Sequence, residues 1–143
     1  MAIRQVSVFI ENRKGALSDA LRTLSEGSVG LRALSIADTR DFGILRIITD
    51  DNRKAAELLS ENGYICSVTD VVAAAADDRP GGLCDLLTLL SDGGVDVEYL
   101  YAFVAEAKKH AWVVRRVTDN AAAESLLKKA GVHVLTDEDM ATL

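Results

Sequence analysis

The stretch Asn12-Arg13-Lys14-Gly15-Ala16-Leu17 returns as Asp78-Arg79-Pro80-Gly81-Gly82-Leu83, an offset of 66 residues. This repetition constrains the fold more than any other feature, because a duplicated unit must satisfy its own packing twice. The match persists along the chain: Leu24 with Leu90, Gly27 with Gly93, Val29 with Val95, Leu31 with Val97, and Leu34 with Leu100. Further on, Thr49-Asp50 pairs with Thr118-Asp119 and Gly63 with Gly131, offsets of 69 and 68. The drift implies a longer middle hairpin in the second copy. The chain therefore reads as two units, residues 1–69 and 70–143.

Each copy carries the same order of periodicities. Val6, Val8 and Ile10 alternate as in a strand. Leu17, Leu21 and Leu24 follow at helical spacing, and Gly27 stops the helix. Residues 29–38 alternate again, Asp41–Gly43 form a turn, and the β-branched run Ile44–Thr49 makes a third strand. Asp51 or Asn52 caps a helix bearing Ala55, Leu58 and Leu59, Gly63 closes it, and residues 64–69 give a final strand. The second copy reads as strand 70–76, helix 81–92, strands 95–104 and 111–118, helix 120–130 and strand 132–136.

Each unit is thus βαββαβ, the ferredoxin-like arrangement, and the class is α+β. Residues 64–76 run as one strand or as two abutting ones, which implies side-by-side packing of antiparallel sheets with helices on one face. Val95, Val97, Tyr99, Tyr101 and Phe103 fall on one face of their strand, with Leu100, Ala102 and Val104 on the other. Helices cover only one face of such a sheet, so the second needs a partner. Sheet-on-sheet homodimerisation meets that need; the alternative is the hairpin 105–110 folding back. Asp137–Leu143 reads as a polar tail.

Charge and composition narrow the function. Sixteen basic against 22 acidic residues give a net charge of −6, and no cationic tract exceeds two residues, which disfavours nucleic acid as a partner. The longest apolar run, Val71–Ala76, is far short of a membrane span. No signal-peptide pattern follows Met1, and Cys66 and Cys84 read as reduced, buried small hydrophobes. The expected location is cytoplasmic.

The repeated loop joins a strand to a helix. Glycines let an incoming group approach the backbone closely, and the first helical N–H groups with the helix dipole favour a carboxylate or phosphate. Asp78 facing an ammonium would make the loop suited to a zwitterion. The plainer reading is that Asp78 is an N-cap, Pro80 opens the helix and the glycines merely turn the chain.

A strand followed by Asn or Asp, any residue, Pro-Gly, any residue and Leu, inside a βαββαβ unit, resembles the ACT domain. The tandem copy resembles the small stand-alone ACT proteins over nearly the whole chain. That resemblance implies a regulatory module binding a free amino acid at the interface of two ACT-like domains through the strand-to-helix loops, without a cofactor. It implies control of an amino-acid metabolic enzyme. By position, it points to Asp78, Pro80, Gly81, Gly82 and Leu83, and in the first copy to Asn12, Gly15, Ala16 and Leu17. Lys14 departs from the family's Pro. Residues near Ile36–Thr39 and Tyr101–Phe103 would complete the pockets.

Other chemistry is weakly represented. His110 and His133 stand apart from other metal-ligand types, Asp77-Asp78 alone is a poor cation site, and Cys84 near a helix start packs more readily than it reacts. Gly81-Gly82 lacks the Lys-Ser/Thr of a phosphate loop. An acylphosphatase-like reading would need Arg79 as the anion-binding arginine and finds no catalytic Asn. Two readings remain: a non-enzymatic amino-acid sensor, or an interaction module docking on a partner enzyme without binding small molecules.

Overall fold

Val6, Val8 and Ile10 alternate along strand β1 (Ile3–Glu11) and place their branched side chains on one face. The computed structural model describes residues 3–38, 40–77, 79–104 and 111–142. Asp78, Thr39, His110 and the rest of the hairpin 105–110 lie outside these described residues. After β1 come α1 (Ala16–Glu26), β2 (Leu31–Asp38), β3 (Phe42–Thr49) and α2 (Asn52–Glu61). Strand β4 (Cys66–Ala76) then runs unbroken from the first repeat into the second. There follow α3 (Gly82–Asp92), β5 (Val97–Val104), β6 (Ala111–Val117), α4 (Asn120–Lys129) and α5 (Asp137–Thr142). Two compact units result. One holds Arg4–Thr69 with Met140–Thr142, the other Ile3 and Asp70–Asp139.

In the first unit β3 lies between β2 and β1, antiparallel to both. Ala20 and Leu24 of α1 and Ala55 and Leu59 of α2 share one core with Val6, Val8, Leu45 and Ile47, so both helices cover the same face. Each fully buried Leu there contributes roughly 1.5–3 kcal/mol. The second unit repeats the layout: β6 lies between β4 and β5, and Leu86, Leu90, Ala123 and Leu127 close over Val72, Ala74 and Val113. Both units are ferredoxin-like, with antiparallel sheets and helices on one face.

The repeat extends to individual hydrogen bonds. Phe9 N–H donates to Ile65 O at 3.0 Å, and Ala75 N–H to His133 O at 3.0 Å. Asp51 caps α2 by accepting from Lys54 N–H at 3.1 Å, and Asp119 caps α4 from Ala122 N–H at 3.0 Å. The offset here is therefore 68; matching Thr49-Asp50 to Thr118-Asp119 is one residue out, because the cap position and not the Thr-Asp dipeptide is what repeats. A Cβ at Gly27 would overlap Leu58, and one at Gly93 would overlap Leu126. Those glycines let the paired helices approach closely, beyond ending α1 and α3.

Several expectations are corrected. The last strand of the second copy shrinks to a single bridge, Ala74 to Val134. The expected polar tail is helix α5, with Met140 fully buried. Thr136 N–H donates to Asp139 Oδ2 at 2.8 Å and Asp139 N–H to Thr136 Oγ1 at 3.2 Å, a reciprocal capping box. A register shift between Val97 and Tyr99 breaks the apolar row inferred for β5. Val97 joins the helix-side core, while Tyr101 belongs to the other face with Trp112 and Val114, all buried within this one chain. Tyr99 and Phe103 of the same strand are half-buried. Large apolar residues remain exposed on the first unit instead, among them Phe9, Phe42, Ile65 and Val68.

Cys84 is exposed and Cys66 half-buried, where desolvation holds its thiol pKa above the ordinary value. Because thiolate is the reactive form, iodoacetamide is expected to label Cys84 in the native protein well before Cys66. Urea should equalise the two; equal native rates measured by peptide mass would contradict this assignment.

One core position breaks the repeat. Ile47 pairs with Val6 in the first unit, and Arg115 takes the corresponding place opposite Val72 in the second. Arg115 is fully buried. Its Nη2 donates to Val113 O at 3.3 Å, while Nε and Nη1 find no partner among the described residues.

Candidate functional site

The strand-to-helix loops are built alike. Gly15 and Gly81 precede their helices at φ 85° and 87°, a left-handed conformation that other L-residues enter at a cost. Arg13 N–H returns to Glu11 O at 2.9 Å and Arg79 N–H to Asp77 O at 2.9 Å, which closes each turn. Among the described residues no side chain caps α1 or α3. Ala16 N–H and Gly82 N–H bond inside their loops, to Arg13 O at 3.2 Å and Arg79 O at 3.0 Å, so the N–H groups that follow them in each first turn are the ones left to solvent or an incoming acceptor.

A charged clamp accompanies each loop, and sequence reasoning missed it. Arg13 Nε lies 3.3 Å from Glu11 Oε2 and its Nη1 3.6 Å from Asp19 Oδ2. Arg79 Nε lies 3.5 Å from Asp77 Oδ2 and its Nη2 2.6 Å from Asp85 Oδ2. The hydrogen bond and charge of Asp85 raise the Arg79 pKa above the ordinary arginine value. All three positions recur at the offset of 66, so the signal was present. Being exposed, such pairs add little stability individually; they set the loop's shape. They also leave Arg79 engaged with carboxylates, unlike the free anion-binding arginine of an acylphosphatase-like site. In the first unit Asn12 ties the loop to the β2–β3 turn, its N–H donating to Asp41 O at 3.1 Å and its Nδ2 to Arg40 O at 3.2 Å.

Beside each clamp lies a cleft. The first, about 390 Å³, runs from Glu11 and Arg13 past Ala16 to Phe9, Phe42 and the turn Asn62–Ile65. The second, about 270 Å³, is bounded by Asp77, Asp85, Gly82, Ala75, Leu86 and Val132. Ala75, Asp77, Gly82 and Val132 correspond in the repeat to Phe9, Glu11, Ala16 and Tyr64, so these are one site formed twice with different linings.

A family model described as an ACT domain pair matches residues 1–143. The chain belongs to the ACT domain pair family. Among solved structures it is similar to protein BT0572 from Bacteroides thetaiotaomicron, at 36% identity over 100% of this chain and 98% of that one, with a TM-score of 0.93. The fold also resembles the ligand-free regulatory subunit of aspartate kinase from Thermus thermophilus, at 12% identity, 92% coverage of each chain and a TM-score of 0.68. The corresponding subunit from Thermus flavus is 13% identical over 92% of this chain and 94% of that one, with a TM-score of 0.63. No curated protein gives a significant match.

The ACT loop residues separate into roles. Ala16 and Gly82 line the two clefts. Gly15 and Gly81 turn the chain, Pro80 is exposed just before Gly81, and Asn12 braces the first loop. Leu17 and Leu83 point outward; Leu83 borders a shallow depression with Cys84 and Leu87. Among the described residues the second strands line neither cleft: Ile36 is exposed elsewhere and Tyr101 is buried; Thr39 lies outside the described residues. In the first cleft their place is taken by the turn after α2, which no loop motif announces. His133 meets Trp112 edge-on, with ring centroids 5.6 Å apart. Among the described residues no helix is long and apolar enough to cross a membrane.

Proposed function

We propose that this ACT domain pair is a regulatory, non-catalytic protein that binds a free amino acid at its strand-to-helix loops. The observation that carries the reading is the duplicated site: uncapped helical N–H groups, a carboxylate–guanidinium clamp and an adjoining cleft, formed twice. An α-amino acid offers a carboxylate to the N–H groups and guanidinium, and an ammonium to the carboxylates. Gly15, Ala16 and Leu17, with Gly81, Gly82 and Leu83, present the backbone; Asn12 and Pro80 shape the turns, and Asp78 belongs to the reading by its place in the sequence motif. Family membership and a fold shared with aspartate kinase regulatory subunits support it.

Regulation requires that the ligand bind two conformations with different affinity, and an amino-acid metabolic enzyme is the natural recipient of that signal. The exposed Phe9, Phe42, Ile65 and Val68 favour, as a second reading, direct docking on such an enzyme or on another copy of the chain.

Thermal unfolding against each of the twenty amino acids separates the two. A ligand at ten times its Kd adds about 1.4 kcal/mol, a rise of several degrees for a domain pair of this size. A selective rise is the expected result. A flat panel with a cooperative transition favours the docking module.

A further inference from the structure

We infer that the two loop sites differ in ligand class: the first-unit cleft takes an amino acid with a large apolar side chain, and the second does not. This rests on the amino-acid-binding reading and adds to it the side-chain specificity and a stoichiometry of one per chain. In the first cleft, Glu11 and Arg13 both line one end, ion-paired at 3.3 Å with Arg13 also 3.6 Å from Asp19, an exposed carboxylate and guanidinium that can exchange their pairing for the ammonium and carboxylate of a zwitterion. At the other end Phe9, Phe42 and Ile65 are 53%, 54% and 70% exposed. Three large apolar side chains left in water around one concavity are costly unless something covers them. At about 390 Å³ the cleft falls within the range of small-molecule sites.

The second cleft keeps the architecture and loses the complementarity. Ala75 replaces Phe9 and His133 replaces Ile65 at the corresponding positions. The volume falls to about 270 Å³. Arg79, drawn to Asp85 at 2.6 Å, does not line it, and among the described residues the charges that do are the carboxylates of Asp77 and Asp85. Such a lining disfavours the carboxylate of an amino acid and offers its side chain little apolar surface.

The test is isothermal titration of the full chain with leucine, isoleucine, methionine and phenylalanine, and with glycine, serine, aspartate and lysine. The expected result is binding of one or more of the first four at one molecule per chain. Phe9→Ala, which installs the second copy's residue, should weaken it at least tenfold, and Phe9→Leu by threefold or less. Phe42→Ser is an independent check; both positions are solvent-exposed, so the fold survives their replacement. Preference for the polar set, two molecules per chain, or affinity unmoved by Phe9→Ala and Phe42→Ser would overturn the assignment while leaving amino-acid binding standing. Binding of none of the eight would overturn the assignment, and a flat result across all twenty would remove the underlying reading as well.

Discussion

Replacing Arg115 by isoleucine is expected to stabilise the second unit by about 3 kcal/mol. Arg115 occupies the helix-side core position that Ile47 fills in the first copy. Its guanidinium keeps one hydrogen bond, to Val113 O, and two of its nitrogens have no partner among the described residues. Desolvation alone pulls its pKa down to about 10. A base whose pKa falls on folding holds its proton less tightly in the native state, so its burial penalty is complete below about pH 10. Converting the fall from 12.5 to about 10 at about 1.4 kcal/mol per unit gives roughly 3–4 kcal/mol, and the figure above takes its lower end. Isoleucine has nearly the same volume and carries no charge, and exchanges of buried charge for apolar groups of similar size gain about 1–4 kcal/mol in other proteins.

Urea unfolding at pH 7 should move the midpoint upward with an unchanged m-value. Above pH 10 native Arg115 begins to release its proton before the unfolded chain does, so the gap between wild type and variant should narrow. A variant less stable than wild type at pH 7 would mean that Arg115 is compensated in solution.

The opposite effect is expected at Gly82. A Cβ there would overlap the carbonyl oxygen of Asp77, which is backbone and cannot rotate aside. Gly82→Val should therefore cost roughly 3 kcal/mol, at the upper end of overpacking penalties. Ala16, the counterpart in the first copy, accommodates its methyl group in a slightly looser turn, where Ala16 N–H reaches Arg13 O at 3.2 Å against 3.0 Å from Gly82 to Arg79. Pro80, where the first copy has Lys14, fixes φ and resists the same relaxation. Gly82→Ala should cost about 1–2 kcal/mol, and adding Pro80→Lys should recover part of that loss. Additive losses in the double variant would show that the proline is not what holds the loop closed.

Much of this protein was legible from residue order alone. The repeat, the βαββαβ order and the paired glycine loops follow from local periodicity and from turn chemistry that nearest neighbours in the chain decide. The Glu11–Arg13–Asp19 clamp and its copy were equally present as a recurring pattern, as was the Thr136–Asp139 capping box that makes α5 a helix. Other features depended on pairing between distant segments. The shift between Val97 and Tyr99 reassigned a row of apolar side chains, because one slipped residue sends every later side chain to the opposite face. The first cleft joins residues 9–16, 42 and 62–65, and its two ends, one charged and one apolar, meet only when β1, β3 and the turn after α2 are assembled. Residue order determined two copies of one fold with one loop; tertiary structure decided that the clefts beside those loops are lined differently, because lining and burial belong to contacts among segments that are remote in sequence.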